Sequence, residues 1–185
     1  LVPYEKHKGK KNPQRGGGGV RPSKQLWIDQ NACFLRLPPL EMVTLCVYGE
    51  ARGESIEGQI AVMNVIRNRM RHFGRYCDKD IQRCGLGKEF HCIILRKWQF
   101  SCFNLEDPNR QKLINLACDV QREVRENKAV ASIYVLSTLF DDVQDNIDGA
   151  TLYHYKGMTT FPAWTLSDKV TMTKEIGNHI FYTED

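Results

Sequence analysis

The sequence predicts an α+β domain, mainly helical, with a small antiparallel sheet near the C-terminus, and three observations carry that expectation. Apolar residues recur at helical spacing between residues 40 and 70 and again from Leu113 to Val124. From Thr151 onward the chain turns aromatic and β-branched, interrupted by Gly157 and Pro162, as short strands and turns require. A length of 185 residues, 42% hydrophobic and 26% charged, suits one globular core that buries about 70% of its unfolded surface.

The ends differ in composition. Residues 1–25 hold Lys6, Lys8, Lys10, Lys11, Arg15, Arg21 and Lys24 against Glu5 alone, with Gly16 to Gly19 among them. That local +6 exceeds the formal net charge of +4, so the pI near 8.7 belongs to the arm. Nothing in it can fill a core, which sets residues 1–25 apart as a disordered basic arm and 26–185 as a single domain. Such an arm attracts anionic surfaces, but a solvated tail is the simpler reading and nucleic acid is not an expected partner. No apolar run reaches the length of a membrane span. The chain opens at Leu1 with no charged segment, apolar stretch and small-residue cleavage site in succession, so export stays open.

Pro38 and Pro39 follow an apolar lead-in from Trp27 to Leu37 and precede a first helix over 40–51. Ser55 caps a second over 55–70, striped by Ile56, Ile60, Met63, Ile66 and Met70. From His72 to Lys97 the pattern breaks, predicting a long loop around a short helix. Asp107 and Pro108 open a third helix through Leu113, Leu116, Ala117, Val120 and Val124. The apolar stretch 129–139 leans helical, and Asp141, Asp142, Asp145 and Asp148 then read as a solvated acidic turn without the glycine and terminal Glu of a calcium loop. Thr151 to Tyr155 and Ile176 to Tyr182 supply two or three strands.

Seven cysteines, an odd number with no C-x-x-C pair, match no disulfide framework or usual zinc spacing. Cys77, Cys84, Cys92 and Cys102 with His72 and His91 form the only conceivable zinc set. Free thiols made in a reducing cytoplasm are the better account, with Cys46 and Cys118 near apolar helix faces. No metal and no cofactor is expected.

The chemistry concentrates at Tyr48-Gly49-Glu50-Ala51-Arg52-Gly53-Glu54. Glu50 follows Leu40, Val43 and Val47 on one helix face, in the last turn before Gly53. Partial burial and the carbonyl end of the helix both favour a protonated carboxyl, the state a general acid needs to cleave a glycosidic bond. Three further clusters mix aromatic surface with hydrogen-bonding groups, as a saccharide groove requires: Trp98 to Cys102, Gly149 to His154, and Ile176 to His179. In that groove Gln99 and Ser101 would bond an acetamido group or orient Glu50, and Tyr153 would steady an oxocarbenium-like centre. Trp98 and Trp164 would stack on sugar rings, and His154, Asn178 and His179 would line the walls. Glu54, four residues after Glu50, is the obvious second carboxylate, but a helix that ends at Gly53 turns it toward the start of the next helix.

In this order, YGEARGE, GQIAVMNVIRNR, WQFSC, GATLYH and IGNHIFY resemble the SleB-type cell wall hydrolases, the family of spore cortex-lytic enzymes and related phage lysins, over residues 40–182. The resemblance implies a lysozyme-like, lytic-transglycosylase-like fold, a peptidoglycan glycan strand as substrate, and Glu50 as catalytic acid. Leu152 stands where many relatives carry a histidine, which counts against a two-histidine zinc role. The resemblance further implies cleavage between N-acetylmuramic acid and N-acetylglucosamine, with the acetamido oxygen assisting and a 1,6-anhydro product. With no wall-binding repeat alongside, a monomeric phage lysin made in the cytoplasm and acting on the wall from the host periplasm is expected. The competing readings are a zinc-dependent peptidoglycan amidase and a non-enzymatic binding module that uses the basic arm.

Overall fold

The computed structural model describes residues 24–77 and 89–185, so most of the basic arm lies outside the described residues. Eight α-helices run through the described residues: α1 Lys24–Leu35, α2 Pro39–Ala51, α3 Ile56–Arg71, α4 Phe73–Tyr76, α5 Glu89–Ile94, α6 Arg110–Cys118, α7 Val120–Glu126 and α8 Lys128–Ser137. Three strands follow, β1 Leu152–Tyr155, β2 Val170–Ile176 and β3 His179–Glu184. This is the expected α+β architecture, helices first and a small antiparallel sheet last.

Helix α2 is the centre of the domain. Every residue from Met42 to Tyr48 is buried, because α3, α5, α6 and α8 surround it. A helix apolar on all sides has nowhere else to go. Pro39 occupies its first turn, where a missing N–H leaves no bond unmade. Ser55 starts α3 as expected, its hydroxyl accepting from the Gly58 N–H at 3.3 Å.

Several sequence expectations change. The lead-in before Pro38 is helix α1, held by buried Arg110, whose guanidinium lies over Phe34 at 5.3 Å and donates to the carbonyls of Gln30 at 2.5 Å and Phe103. The third helix is two: Asp119 leaves helical geometry at φ −155° and its carboxylate accepts from the Arg122 N–H at 2.9 Å, restarting the chain as α7. Asp107 caps no helix but accepts from the Asn109 N–H in a turn at 2.8 Å. Within the stretch expected as a loop, α4 and α5 are both helical, and His91 to Leu95 belong to the core. Of the expected stripe of α3, Met63 and Ile66 are fully buried and Ile56 is exposed, while Ala61, Val62 and Val65 widen the buried face.

The polar residues of α3 dock the chain that leads into the sheet. Asn64 donates to the Gln144 carbonyl at 2.8 Å, Arg67 to the Val143 carbonyl at 2.6 Å, and Asn68 to Asp145 and the Ala150 carbonyl, both at 3.1 Å. Asp145 is therefore part of the fold rather than of a solvated acidic turn; it also accepts from the Ile147 and Gly149 N–H groups. Asp141 and Asp142 remain exposed as expected. Arg69 goes deepest. Only 3% exposed, it donates to the Thr151 carbonyl at 2.7 Å and the Gln99 carbonyl at 3.0 Å and lies over the Phe100 ring at 4.6 Å.

The sheet order is β1-β3-β2. β2 and β3 form a two-residue hairpin, with Ile176 paired to His179 and Gly177 at φ +58°, the turn that needs glycine at its first central position. Thr151 and Leu152 both oppose Tyr182, a bulge where β1 begins.

Replacing Arg69 by Met keeps the volume but leaves two buried carbonyls unbonded, which costs about 2–5 kcal/mol. Urea denaturation should show that loss.

Candidate active site

Glu50 occupies the last turn of α2 and is half-buried. Three donors converge on its carboxylate. Oε1 accepts from the backbone N–H of Cys102 at 2.9 Å and the Ser101 hydroxyl at 3.4 Å. Oε2 accepts from the Tyr153 hydroxyl at 2.8 Å. The Cys102 N–H is a fixed donor, so Oε1 accepts whether or not the group carries a proton. A phenol both donates and accepts, so a hydroxyl on Oε2 can donate a hydrogen bond to the Tyr153 oxygen without breaking the contact.

Gly49 makes this arrangement possible. A Cβ there would lie 2.5 Å from Cys102 Sγ and 2.8 Å from Cys102 Cβ, so only glycine lets the short 3₁₀ turn Ser101–Phe103 approach α2 closely enough. Burial and the neighbouring Glu50 together push the Cys102 thiol well above its ordinary value, which keeps it a neutral packing group.

Tyr153 is fixed from three sides. Phe181 stacks on it at 5.8 Å and 25°, His179 meets it edge-on at 5.3 Å and 85°, and Phe100 lies tilted at 6.3 Å. Burial, then Glu50, raises the Tyr153 hydroxyl well above the usual phenol value, so it keeps its proton. Burial likewise lowers His179, against the pull of Glu54 and Glu50.

Glu54 does not join Glu50. Its carboxylate reaches the β2–β3 turn instead, accepting from the Asn178 N–H at 3.1 Å and the Asn178 side-chain amide at 2.9 Å. A Cβ at Gly177 would overlap Glu54 Oε2. Partial burial opposes ionisation of Glu54, but the two Asn178 bonds outweigh it and His179 and Lys156 add to them, so its value falls below the usual carboxylate range. The sequence expectation that Glu54 serves the start of α3 gives way to a clamp on the hairpin.

The other sequence-derived site residues scatter. Ser101 and Tyr153 contact Glu50 directly. Gln99 is half-buried one turn earlier, its main-chain carbonyl held by Arg69 and its side-chain Oε1 without a hydrogen-bond partner. Trp98 is 70% exposed, with Lys97 Nζ over its ring at 4.9 Å. Asn178 belongs to the Glu54 clamp. His154 and Trp164 do not join the Glu50 cluster: one residue along a strand reverses the face, so His154 points away from Tyr153 and packs with Phe161, Trp164 and Tyr182. Its Nε2 shares a hydrogen bond with the Tyr182 hydroxyl at 3.0 Å. His154 and His179 thus face opposite ways. Among the described residues no three His, Cys, Asp or Glu side chains gather as a group able to hold a metal ion, and Cys84 of the candidate zinc set lies outside them.

Sequence reasoning missed the Cys102 N–H, the Gly49 contact and Arg69. The first is backbone and carries no residue signature; Gly49 marks the helix end in the sequence but not its contact with Cys102, and Arg69 stands in a quoted motif whose local pattern assigns it no role.

These elements define a helix-borne carboxylate facing an aromatic sheet, and sequence comparison supplies the family. The profile of the family described as Cell Wall Hydrolase matches residues 53–182, and the chain belongs to that family. The match begins three residues after Glu50. Among solved structures, the chain is similar to the catalytic domain of the germination-specific lytic transglycosylase SleB from Bacillus anthracis, at 22% identity over 78% of this chain and 93% of that one, with a TM-score of 0.48. The catalytic domain of the Bacillus cereus SleB protein is similar at the same identity and TM-score, with 89% of its chain covered. No curated protein matches. Among the described residues no helix is long and apolar enough to cross a membrane.

Two outcomes follow from this geometry. Gly49→Ala should push the Cys102 N–H away from Glu50 and cut activity more than about tenfold while far-UV circular dichroism stays helical. For Glu54, whose folded value is lowered, the stabilisation is complete above the unfolded value of 4.5 and is lost as pH falls through the folded one. Glu54→Gln should therefore lower stability at pH 7 by about 1 kcal/mol, allowing for its partial exposure, and flatten the fall below pH 4.5 seen in the unaltered protein.

Proposed function

We propose that the protein is a lytic transglycosylase that cleaves the bond between N-acetylmuramic acid and N-acetylglucosamine in peptidoglycan, with Glu50 as its general acid and base. One observation carries this reading: among the described residues the Glu50 carboxylate is met by hydroxyl and backbone N–H donors, while the sequence's candidate for a second carboxylate, Glu54, is committed to Asn178 at 2.9 and 3.1 Å. Two-carboxylate glycosidases need a free partner as nucleophile or base. A one-carboxylate site calls on the substrate.

In the first step Glu50 gives its proton to the bridging oxygen as the bond to the anomeric carbon breaks. The 2-acetamido oxygen of the muramyl residue closes onto that carbon, and the departing sugar leaves with the proton. In the second, the Glu50 carboxylate takes the proton of the 6-hydroxyl, whose oxygen attacks the anomeric carbon and expels the acetamido oxygen. The product is a 1,6-anhydro sugar, no water is consumed, and Glu50 regains its proton. Ser101 and the Cys102 N–H hold Oε1 in place, which leaves Oε2, beside Tyr153, to carry the proton. Trp98, solvent-facing, is the stacking platform in this reading, whereas Gln99, its Oε1 buried, serves the turn rather than the substrate.

The setting we attach to this activity is lysis from the periplasm of a bacterial host. Its readout is clearing of cells whose outer membrane has been permeabilised.

Glu50→Gln should abolish wall cleavage by a protein that still melts like its parent, and mass spectrometry of muropeptides released by the parent should show products one water lighter than reducing ends. A full yield of reducing ends would replace transglycosylation with hydrolysis. Tyr153→Phe should lower kcat about tenfold to a hundredfold, the value of one hydrogen bond to a charged group, with KM little changed.

A further inference from the structure

Among the described residues β1 is an edge strand, and its Tyr153 reaches the Glu50 carboxylate. Among the described residues the sheet order leaves one side of β1 without a strand. The register assigns its backbone groups: Lys156 N–H donates to the Asn178 carbonyl at 2.8 Å, and Tyr155 pairs with His179 and Tyr153 with Phe181. In an antiparallel ladder the directly bonded pairs alternate with unbonded ones. Leu152, His154 and Lys156 therefore turn their amides to β3, and Tyr153 and Tyr155 turn theirs outward. The Tyr155 carbonyl is occupied, accepting from the Met158 N–H at 3.3 Å and meeting His154 Nδ1 at 3.0 Å. What remains without a backbone partner among the described residues is a short run of three groups, the Tyr153 N–H and C=O and the Tyr155 N–H. Tyr155 is itself 53% exposed.

We propose that this edge takes the stem peptide carried by the muramyl residue, which adds to β1 as a short extra strand; the proposal rests on the glycosidase reading above. Continuity with the site selects this occupant. The same residue that holds Glu50 Oε2 through its hydroxyl presents its amide and carbonyl at the edge, so a chain bound there lies one tyrosine side chain from the carboxylate. A peptide joined through a lactyl ether to the ring being cleaved begins at that distance. In a parallel pairing the Tyr153 N–H takes the lactyl carbonyl, the Tyr153 C=O takes the N–H of the second stem residue, and the Tyr155 N–H takes that residue's carbonyl, where the match ends. Main-chain pairing at a sheet edge binds extended peptide with little regard to side chain. The edge discriminates peptide-bearing from stripped glycan.

Two measurements test this. Tyr155→Pro removes an outward N–H and no ladder bond, a change that edge strands accept, whereas Tyr155→Ala keeps the N–H. The unaltered enzyme should show kcat/KM at least tenfold higher on peptide-bearing strands than on the same strands stripped by an amidase. Tyr155→Pro should bring that ratio toward one and Tyr155→Ala should keep it. Equal rates on both substrates, or loss of the ratio in Tyr155→Ala as well, would overturn the proposal. Independently of folding in the proline variant and of turnover, amide hydrogen exchange in Glu50→Gln protein should slow at Tyr153 and Tyr155 at least tenfold with a disaccharide tripeptide and not with the bare disaccharide. Unchanged exchange, or equal slowing by both ligands, would refute it. Failure of the unaltered enzyme to cleave either strand would sink the glycosidase reading alone, because the exchange experiment judges the edge without cleavage.

Discussion

The buried guanidinium of Arg69 is the constraint on which the site depends. It enters from α3 and binds two carbonyls, Gln99 and Thr151, that lie 30 and 82 positions away in sequence. Burial lowers its affinity for a proton, opposed by Tyr153, Tyr76, Cys46 and Glu50. A cation in an apolar interior is costly unless its donors are used, and the two carbonyls, with the Phe100 face, use them. One consequence is geometric. The segment bearing Ser101 and Cys102 and the strand bearing Tyr153 are referred to one atom group, so both donors meet Glu50 without a direct link between them. Tyr76 repeats the tie with a hydroxyl bond to Thr151 at 2.8 Å.

With those segments fixed, glycines set how closely they approach. Gly49 admits the Cys102 turn to the helix, and Gly177 admits Glu54 to the hairpin. The two carboxylates of the YGEARGE segment are thereby given separate tasks by backbone geometry rather than by their own chemistry. Glu50 meets donors on side chains and backbone that leave its second oxygen beside a phenol. Glu54 meets two amide donors at a turn and stays ionised. Holding the hairpin also holds His179 against Tyr153, so Glu54 bears on Glu50 through two intermediates.

Much of this was legible in the sequence, where local rules suffice. The periodic runs gave α2 and α3, Ser55 marked a cap, and the aromatic C-terminal stretch announced strands. The carboxylate was legible because Glu50 interrupts an apolar face at a helix end. What stayed hidden depends on partners remote in sequence. Asp119 sits in an unbroken apolar pattern, so its split of α6 from α7 shows only once its carboxylate finds the Arg122 N–H. Asn64, Arg67, Asn68 and Arg69 lie outside the expected apolar stripe, and three of them are buried because the chain from 140 to 151 packs over them. His154 and Tyr153 are neighbours in a motif and opposites in the sheet, a difference that alternation predicts once the strand is known and that motif reading overlooks.

Trp98 joins these strands of argument. Its φ of +67° is strained for a bulky residue, costing about 1–3 kcal/mol, and such strain persists only where the surroundings over-determine it. Here they do: the Trp98 N–H is held by Asn104 Oδ1 at 3.1 Å, the Gln99 N–H by the Arg96 carbonyl at 3.1 Å, and the Gln99 carbonyl by Arg69. The reversal sends Gln99 and Phe100 inward and leaves the indole outside. A relaxed backbone would spare the strain and lose the alignment of Ser101 and Cys102 on Glu50, because those residues follow directly from the turn. The exposed ring and the placed donors are thus two results of one backbone distortion, and the Arg69 bond to Gln99 is what sustains it.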